Sequence, residues 1–430
     1  MASKTVQGAD STRREFFKTT GATVVGATVL GATQVARAAS TDVLKVGLIG
    51  CGGRGSGAAR EALMADENTV LFAMGDAFAD HLDTSYSKFK GSDLDARLKV
   101  DDAHKFVGFD AYQKVIDSCD VIVLATPPAF RPEHLKYAVE QGKHIFCEKP
   151  IAVDPVGVRS VMETCELAKK KNLSLVSGLC YRYQFAKQAV IGKIHQGGVG
   201  DIISMQTTYN TGSLWYREPT KDWTEMDVQM RNWLYFDWLS GDHINEQHIH
   251  SLDKILWVMG DVAPKKVTSS GGRSQRTDEK FGNVYDHFNS VYEWDNGVRC
   301  FSSCRQWEST STDVSDWING TEGVAELQSA TVTSRGGDTW KHKQDGPDNM
   351  YLNEHVALFD SIRNGKAINN GDYMCKSTMM AIMARMSAYT GKTVTWKQAM
   401  ESELDLTPKK LAWGDNAVNP IARPGETKFI

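Results

Sequence analysis

An excess of charge of either sign is missing from this chain of 430 residues: 49 Lys and Arg stand against 53 Asp and Glu, a formal net charge of −4. Without a broad basic field nothing holds a phosphate backbone, so no nucleic-acid partner is expected. Beyond residue 38 there is no run of about 18 apolar residues, which excludes a polytopic membrane protein. Internal repeats and low-complexity stretches are lacking too. Cysteine is sparse: of eight, only Cys300 and Cys304 lie close together. They sit in an alternating stretch where a strand would put both on one face. The reading is two small core residues, with a disulfide or metal clip as the alternative. The length can bury a large core and suggests two or three domains. An enzyme or a binding protein remains.

The first 38 residues read as an address. Thr12-Arg13-Arg14-Glu15-Phe16-Phe17-Lys18 has the form of a twin-arginine export signal. A weakly apolar Gly/Ala/Thr/Val stretch follows at 19–35, then Ala36-Arg37-Ala38, an A-x-A cleavage site. The expected partner is the twin-arginine translocase, and the expected location is periplasmic or otherwise exported. A retained anchor and a fortuitous basic N-terminus are the alternatives. That route carries proteins that fold first, often around a cofactor acquired in the cytoplasm, so the cysteines are expected to remain mostly thiols.

The remaining chain opens with a nucleotide-binding pattern. The apolar run 43–49 suits a buried parallel strand. It leads into Gly50-Cys51-Gly52-Gly53-Arg54-Gly55, a G-x-G-x-x-G, followed by helix-compatible residues 56–64. Gly50 permits the tight turn, Gly52 lets the backbone approach a diphosphate, and Gly55 allows close helix–strand packing. A second strand over 70–74 ends at Gly75-Asp76, where a carboxylate should accept hydrogen bonds from an adenosine ribose. Asp76 repels a 2′-phosphate and Ala77-Phe78-Ala79 offer no Arg, so NAD is favoured over NADP; Arg54 in the Gly loop is the counter-indication. Strand 119–125 ends in Thr126-Pro127-Pro128, a helix spans 133–141, and a further strand closes at Glu148-Lys149-Pro150. The alternation predicts a doubly wound parallel sheet with ligands beyond the carboxyl ends of its strands.

The order G-x-G-x-R-G, Ala125-Thr126-Pro127-Pro128, Gly142-Lys143-His144 and Glu148-Lys149-Pro150 resembles the Gfo/Idh/MocA oxidoreductase family, and the similarity continues to Gly391-Lys392-Thr393-Val394-Thr395-Trp396. The resemblance implies an α/β fold: an N-terminal Rossmann domain, then an α/β domain on a large open, mostly antiparallel sheet. The expected organisation is 1–38 signal, 43–150 Rossmann domain, 151–403 substrate and oligomerisation domain, and 404–430 a C-terminal arm around the subunit or a neighbour. The resemblance further implies NAD(P) chemistry on a sugar or cyclitol carbon, with Lys149 beside the reacting hydroxyl. Expected cofactor contacts are Gly50, Gly52, Gly53, Arg54, Gly55, Asp76, Thr126, Pro127, Glu148 and Lys149.

In the second half, the family usually shows a G-G-x-x-x-D-x-G-x-H-x-x-D segment. This chain has His250 and Asp253 in place, with Asp242 for a Gly, Glu246 for the Asp and His248 for a Gly. On a continuous helix His243, Glu246, Gln247, His250 and Lys254 share one face. A solvated stripe and a His/carboxylate metal site are the alternatives; no metal is expected, because no known spacing is matched. The catalytic assignment is Lys149 as alkoxide stabiliser and proton relay, His250 as base, and Glu246 orienting or tuning His250. Arg182, Tyr183, His248 and Trp233 are candidate substrate contacts; Arg182 could instead pair with Glu148 or serve the domain junction. Trp215, Trp223, Trp233 and Trp238, with nearby Tyr and Phe, read as a carbohydrate pocket or lid, or as core. Residues 377–389 form a helix with a Met-rich core face.

Export favours a cofactor retained and regenerated in each cycle. The first reading is an oxidoreductase acting on a sugar or cyclitol hydroxyl. The alternative is redox-neutral glycosidic cleavage by oxidation and elimination, as in NAD-dependent α-N-acetylgalactosaminidases. A non-catalytic sugar-binding protein is a third reading, against which Lys149 argues. An open sheet face leads to the expectation of a homo-oligomer.

Overall fold

Residues 44–49 form β1 (Leu44–Ile49), buried at every position except Lys45, because strands cover both of its edges and helices both of its faces. The computed structural model describes residues 42–428. The export signal and cleavage site read at 1–38 therefore lie outside the described residues. With β2 (Thr69–Asp76), β3 (Lys105–Val107), β4 (Val121–Leu124), β5 (His144–Cys147) and β6 (Leu175–Ser177), β1 builds a six-stranded sheet of order β3-β2-β1-β4-β5-β6. Every neighbouring pair is parallel. Five crossover helices join the strands in turn: α1 (Gly53–Ala65), α2 (Ala79–Phe89), α3 (Ala111–Ser118), α4 (Arg131–Glu140) and α5 (Pro155–Lys170). Chain order reverses between β1 and β4, which opens a crevice at their carboxyl ends, where the Gly loop and Thr126 both lie.

The parallel sheet runs past residue 150, where the sequence placed the domain boundary. β6 has only three residues, too few for a periodic signal, yet it pairs with β5 and extends the same layer. α6 (Phe185–His195) then leads to β7 (Ile202–Thr211), a middle strand of the second sheet. Four short helices follow: α7 (Glu225–Arg231), α8 (Asp237–Ser240), α9 (His243–Glu246) and α10 (Ile249–Val258). The second sheet adds β8 (Lys266–Gly272), β9 (His287–Glu293), β10 (Arg299–Gln306), β11 (Asp313–Gly320), β12 (Gly323–Glu326), β13 (Thr331–Ser334), β14 (Thr339–Lys341) and β15 (Val394–Thr395). Its order is β14-β13-β12-β11-β7-β10-β9-β8-β15, antiparallel except where β7 meets β10. α11 (Met350–Arg363), α12 (Gly371–Thr390) and α13 (Trp396–Glu401) complete the chain of elements.

α12 ties the halves together, packing on β8, α10 and α5. Its Met374, Met379, Met380, Met383 and Met386 are all buried, the core role expected for them. All eight cysteines are buried free thiols, Cys300 and Cys304 on β10 included, so neither clips a partner.

The single helix expected over 243–254 is two helices. The His248 N–H reaches back five residues to the His243 carbonyl at 3.1 Å, a π-type widening. Gln247 Oε1 accepts from Gln306 Nε2 on β10 at 2.9 Å, and His248 Nε2 bonds Ser302 Oγ at 2.7 Å. Tying these side chains to the sheet breaks the helix and rotates α10 relative to α9.

Arg182, a candidate for substrate contact or for pairing with Glu148, serves instead as a buried pin. Its guanidinium donates to Asp253 (2.8 and 2.9 Å) and to Asp261 (2.7 Å), and lies over the rings of Tyr373 and Trp257. It is paired with two carboxylates before any ligand arrives. Truncation would strand the Asp253 carboxylate in a site from which water is excluded. Arg182→Ala is expected to cost about 3–5 kcal/mol, read as a lowered urea midpoint; an unchanged midpoint would show that the pair is dispensable.

Candidate functional site

The Gly loop closes β1 against the start of α1. Gly50 has φ +93°, and a Cβ there would lie 2.7 Å from the backbone of Ala125 and Thr126. A Cβ at Gly55 would fall 1.8 Å from the Gly50 carbonyl oxygen, so only glycine lets α1 pack this close. At Gly52 and Gly53, by contrast, a Cβ would meet nothing within 4 Å. The two central glycines thus face open space at the N-terminus of a 13-residue helix, a cradle for a diphosphate. Asp76, at the end of β2, accepts from the N–H groups of Cys51 (2.6 Å) and Phe78 (2.9 Å), which fixes its carboxylate at the channel wall. Gly50, Gly52, Asp76, Thr126, Pro127 and Trp233 all line this channel.

A second cavity, ≈ 300 Å³, shares Ala125, Thr126, Pro127 and Trp233 with the channel and adds Lys149, Glu148, Glu246 and His250. Thr126 Oγ1 on the common wall is buried and, among the described residues, lacks a hydrogen-bond partner. The open cradle, the Asp76 carboxylate and this orphaned hydroxyl fit a dinucleotide laid across the end of the sheet.

Lys149 leaves the end of β5 and crosses to the second half of the chain. Its Nζ donates to the Glu246 carbonyl oxygen (2.6 Å) and to Glu246 Oε1 (3.0 Å). An ammonium has three donors, so one N–H is left for the cavity. The expectation that Glu246 orients His250 is corrected: its partner is Lys149, and among the described residues no hydrogen bond joins it to His250, because the break at 247–248 turns α10 away. Burial first, then the charges of Lys149, Lys254 and Arg54, hold the His250 imidazole well below its ordinary range. Among the described residues His250 Nδ1 is buried without a partner, and the Tyr181 ring meets the imidazole edge-on at 5.6 Å.

Arg54 lies on the cavity side. It is engaged by Glu148, by Glu61 at 2.9 Å and by Glu354 at 3.2 Å, so the cofactor contact expected of its guanidinium is replaced by a carboxylate cluster. Burial and the neighbouring Glu148 push the Glu354 carboxyl well up, favouring its protonated form. Two further expectations are corrected. His248 is fully buried and bound to Ser302. Tyr183 donates to Asn370 Oδ1 at 2.8 Å, away from the cavity. Of the four tryptophans at 215–238, only Trp233 lines the cavities. Trp238 donates to Gln229 in the core, Trp215 lies beneath Arg217, and Trp223 lies beneath Arg231. Sequence reasoning missed Tyr351, which lines the cavity from α11 with Arg54 over its ring, and Arg131. The Arg131 guanidinium donates to the Thr126 carbonyl (2.6 Å) and to the Pro150 carbonyl, locking the two strand-end motifs together.

Residues 44–178 match the family model described as an oxidoreductase family with an NAD-binding Rossmann fold, and residues 188–326 match the GFO/IDH/MocA C-terminal domain. The chain belongs to the Gfo/Idh/MocA family. Among relatives, the 2,7-anhydro-N-acetylneuraminate hydratase of Escherichia coli is 27% identical over 228 residues, 52% of this chain and 56% of that protein. Glycosyl hydrolase family 109 protein 2 of Shewanella sp. (strain ANA-3) is 27% identical over 179 residues, 39% of this chain and 35% of that protein. The chain thus spans about half or less of these curated relatives. Scyllo-inositol dehydrogenase of Lactobacillus casei, solved with NAD(H) and scyllo-inositol, superposes at TM-score 0.63 with 19% identity, over 82% of this chain and 99% of that one, which shows a shared fold.

Burial also lowers His134 to about 3, His248 to about 3, His355 to about 3 and His144 to about 4. The unfolded chain binds protons at these sites below about pH 6.5, whereas the folded family member refuses them until far lower pH. Stability therefore falls as pH is lowered from about 6.5 toward 4, by up to about 1.4 kcal/mol per pH unit for each titrating imidazole. Urea midpoints measured between pH 7 and 5 test this; a flat profile would contradict it.

Proposed function

We propose that the protein is an NAD-dependent oxidoreductase that transfers hydride from a hydroxyl-bearing carbon of a small sugar or cyclitol. One observation carries the reading: an ammonium held by Glu246 and a neutral imidazole face one cavity, and that cavity shares a wall with the dinucleotide channel. When bound, NAD supplies the hydride acceptor. Gly50, Gly52 and Gly53 would hold its diphosphate, Asp76 would accept from its ribose, and Thr126 and Pro127 would line the wall beside it. The free N–H of Lys149 stabilises the developing alkoxide, and Glu246 fixes the direction of that N–H. His250, assigned as the base, is held neutral and so needs no prior deprotonation, but the same burial and cations that keep it neutral make it a weak proton acceptor. A cavity of ≈ 300 Å³ is at the small end of the roughly 300–1,000 Å³ usual for ligand sites, which suits a single sugar or polyol ring.

A redox-neutral reaction is the second reading, favoured by two relatives whose names, a hydratase and a glycosyl hydrolase, denote no net redox change. The proposal also carries export, retention of the cofactor and pairing with a second copy. The open sheet face supports the last of these, since Phe301 on β10 and Trp317 on β11 are exposed there.

Denaturing the purified protein and weighing what is released tests the dinucleotide directly; a correctly folded protein with neither bound nucleotide nor affinity for NADH overturns the proposal. Absorbance at 340 nm with added NAD and a polyol panel, run against nitrophenyl glycosides without added NAD, separates the two readings. Lys149→Met is expected to lower turnover about 10²–10⁴-fold with NADH binding unchanged; equal loss of both would place the lysine in binding alone. Asp76→Asn is expected to improve NADP relative to NAD by at least about tenfold, because a like charge beside the 2′-phosphate is removed. An unchanged cofactor ratio would remove Asp76 from the selectivity argument.

A further inference from the structure

The adenosine end of the channel is bounded by Asp76, Phe78, His81 and Phe109. Two segments from outside the parallel sheet close on it. Arg231, in α7, sets its guanidinium 3.9 Å from the Phe78 ring centre and pairs with Asp80 at 2.8 Å. Trp413, in the C-terminal arm, stacks on Phe109 with ring centres 4.7 Å apart and meets Phe78 at 5.2 Å. Trp413 does not itself line the channel; it backs the two aromatic rings that do.

The arm and α7 are joined as one body. The Met226 N–H donates to the Gly414 carbonyl at 3.0 Å, and the Gly414 N–H donates to Thr224 Oγ1 at 3.3 Å. Gln229 Nε2 donates to the Asn416 carbonyl at 2.6 Å, while Asn416 Nδ2 donates back to Gln229 Oε1 at 2.9 Å. Gln229 is fully buried, and its Oε1 also accepts from Trp238 Nε1, which anchors the pair to the core. Beyond this anchor, Met230 and Trp233 continue along the roof of the channel.

We propose that Trp413 and the reciprocal Gln229–Asn416 amide pair form a clasp over the adenosine end, which makes the dinucleotide a resident group rather than an exchangeable coenzyme. The inference rests on the dinucleotide reading above and deepens it. For the nucleotide to leave, Phe78 and Phe109 must part. They cannot part until the arm lifts, and lifting it breaks three hydrogen bonds to α7, a fourth to its cap Thr224, and both ring contacts of Trp413. Because these contacts act on the gate and not on the ligand, their loss speeds entry and exit together and leaves the equilibrium affinity nearly unchanged.

Full-length protein loaded with NADH and chased with excess NAD, followed by NADH fluorescence, measures release. Trp413→Ala and Asn416→Ala are each expected to speed release at least tenfold, with Kd within about threefold of the parent and melting temperature within a few degrees. Asn416 is remote from the channel wall, so its variant tests the clasp even where loss of the indole perturbs the fold. Unchanged release in both variants overturns the clasp alone. A raised Kd at unchanged association rate also overturns it, since Trp413 would then be an ordinary contact. Failure of the parent protein to bind NADH overturns the dinucleotide reading and the clasp with it.

Discussion

The ion pair between Lys149 and Glu246 is the constraint around which the cleft is organised. The lysine comes from the end of a buried strand of the parallel sheet, and the glutamate from a four-residue helix packed on the other half. Neither half alone holds the ammonium in place. The lysine stem is fixed by the strand and by the Arg131 bridge between the Thr126 and Pro150 carbonyls; its head is fixed by a carbonyl and a carboxylate of one residue. A charge pinned at both ends costs little reorganisation when negative charge develops beside it, which is how a preorganised site differs from a lysine in water.

The surroundings of that pair show how much charge the cleft carries and how it is neutralised. Arg54 meets Glu61, Glu148 and Glu354 at once. Three ionised carboxylates on one guanidinium would be over-compensated, and the upward shift of Glu354 relieves the excess by favouring a proton there. The imidazole at 250 yields in the opposite sense, giving up its proton because it is buried and, beyond that, because it faces cations. For Glu354 and His250 burial acts first and the neighbouring charges add to it.

The parts of this arrangement legible in the sequence are those carried by local backbone geometry. The Gly loop, Asp76, and the Thr126 and Lys149 strand ends announce themselves because buried parallel strands are short apolar runs with defined exits. Trp233 was also nameable, although nothing local distinguished it from the indoles at 215, 223 and 238. The misassigned residues share one cause, which is direction. Residues 180–183 form a 3-10 turn with about three residues per turn. Tyr181 therefore points to His250 while Tyr183 points to Asn370, and proximity along the chain says nothing about which side chain reaches the cavity. The break at 247–248 acts likewise: a continuous helical wheel groups Glu246 with His250, whereas the real chain sends the one to Lys149 and the other to Tyr181. Tyr351 and Arg131 were invisible because long-range packing, not a motif, delivers them.

Trp233 has a further consequence. One indole lines both the channel and the smaller cavity, so the room on its two sides is shared. A ligand too bulky for the inner cavity must displace that ring at the expense of the neighbouring channel. The upper limit on the size of a ligand in the inner cavity is in this way set by the tolerance of the neighbouring channel as much as by the dimensions of the cavity itself.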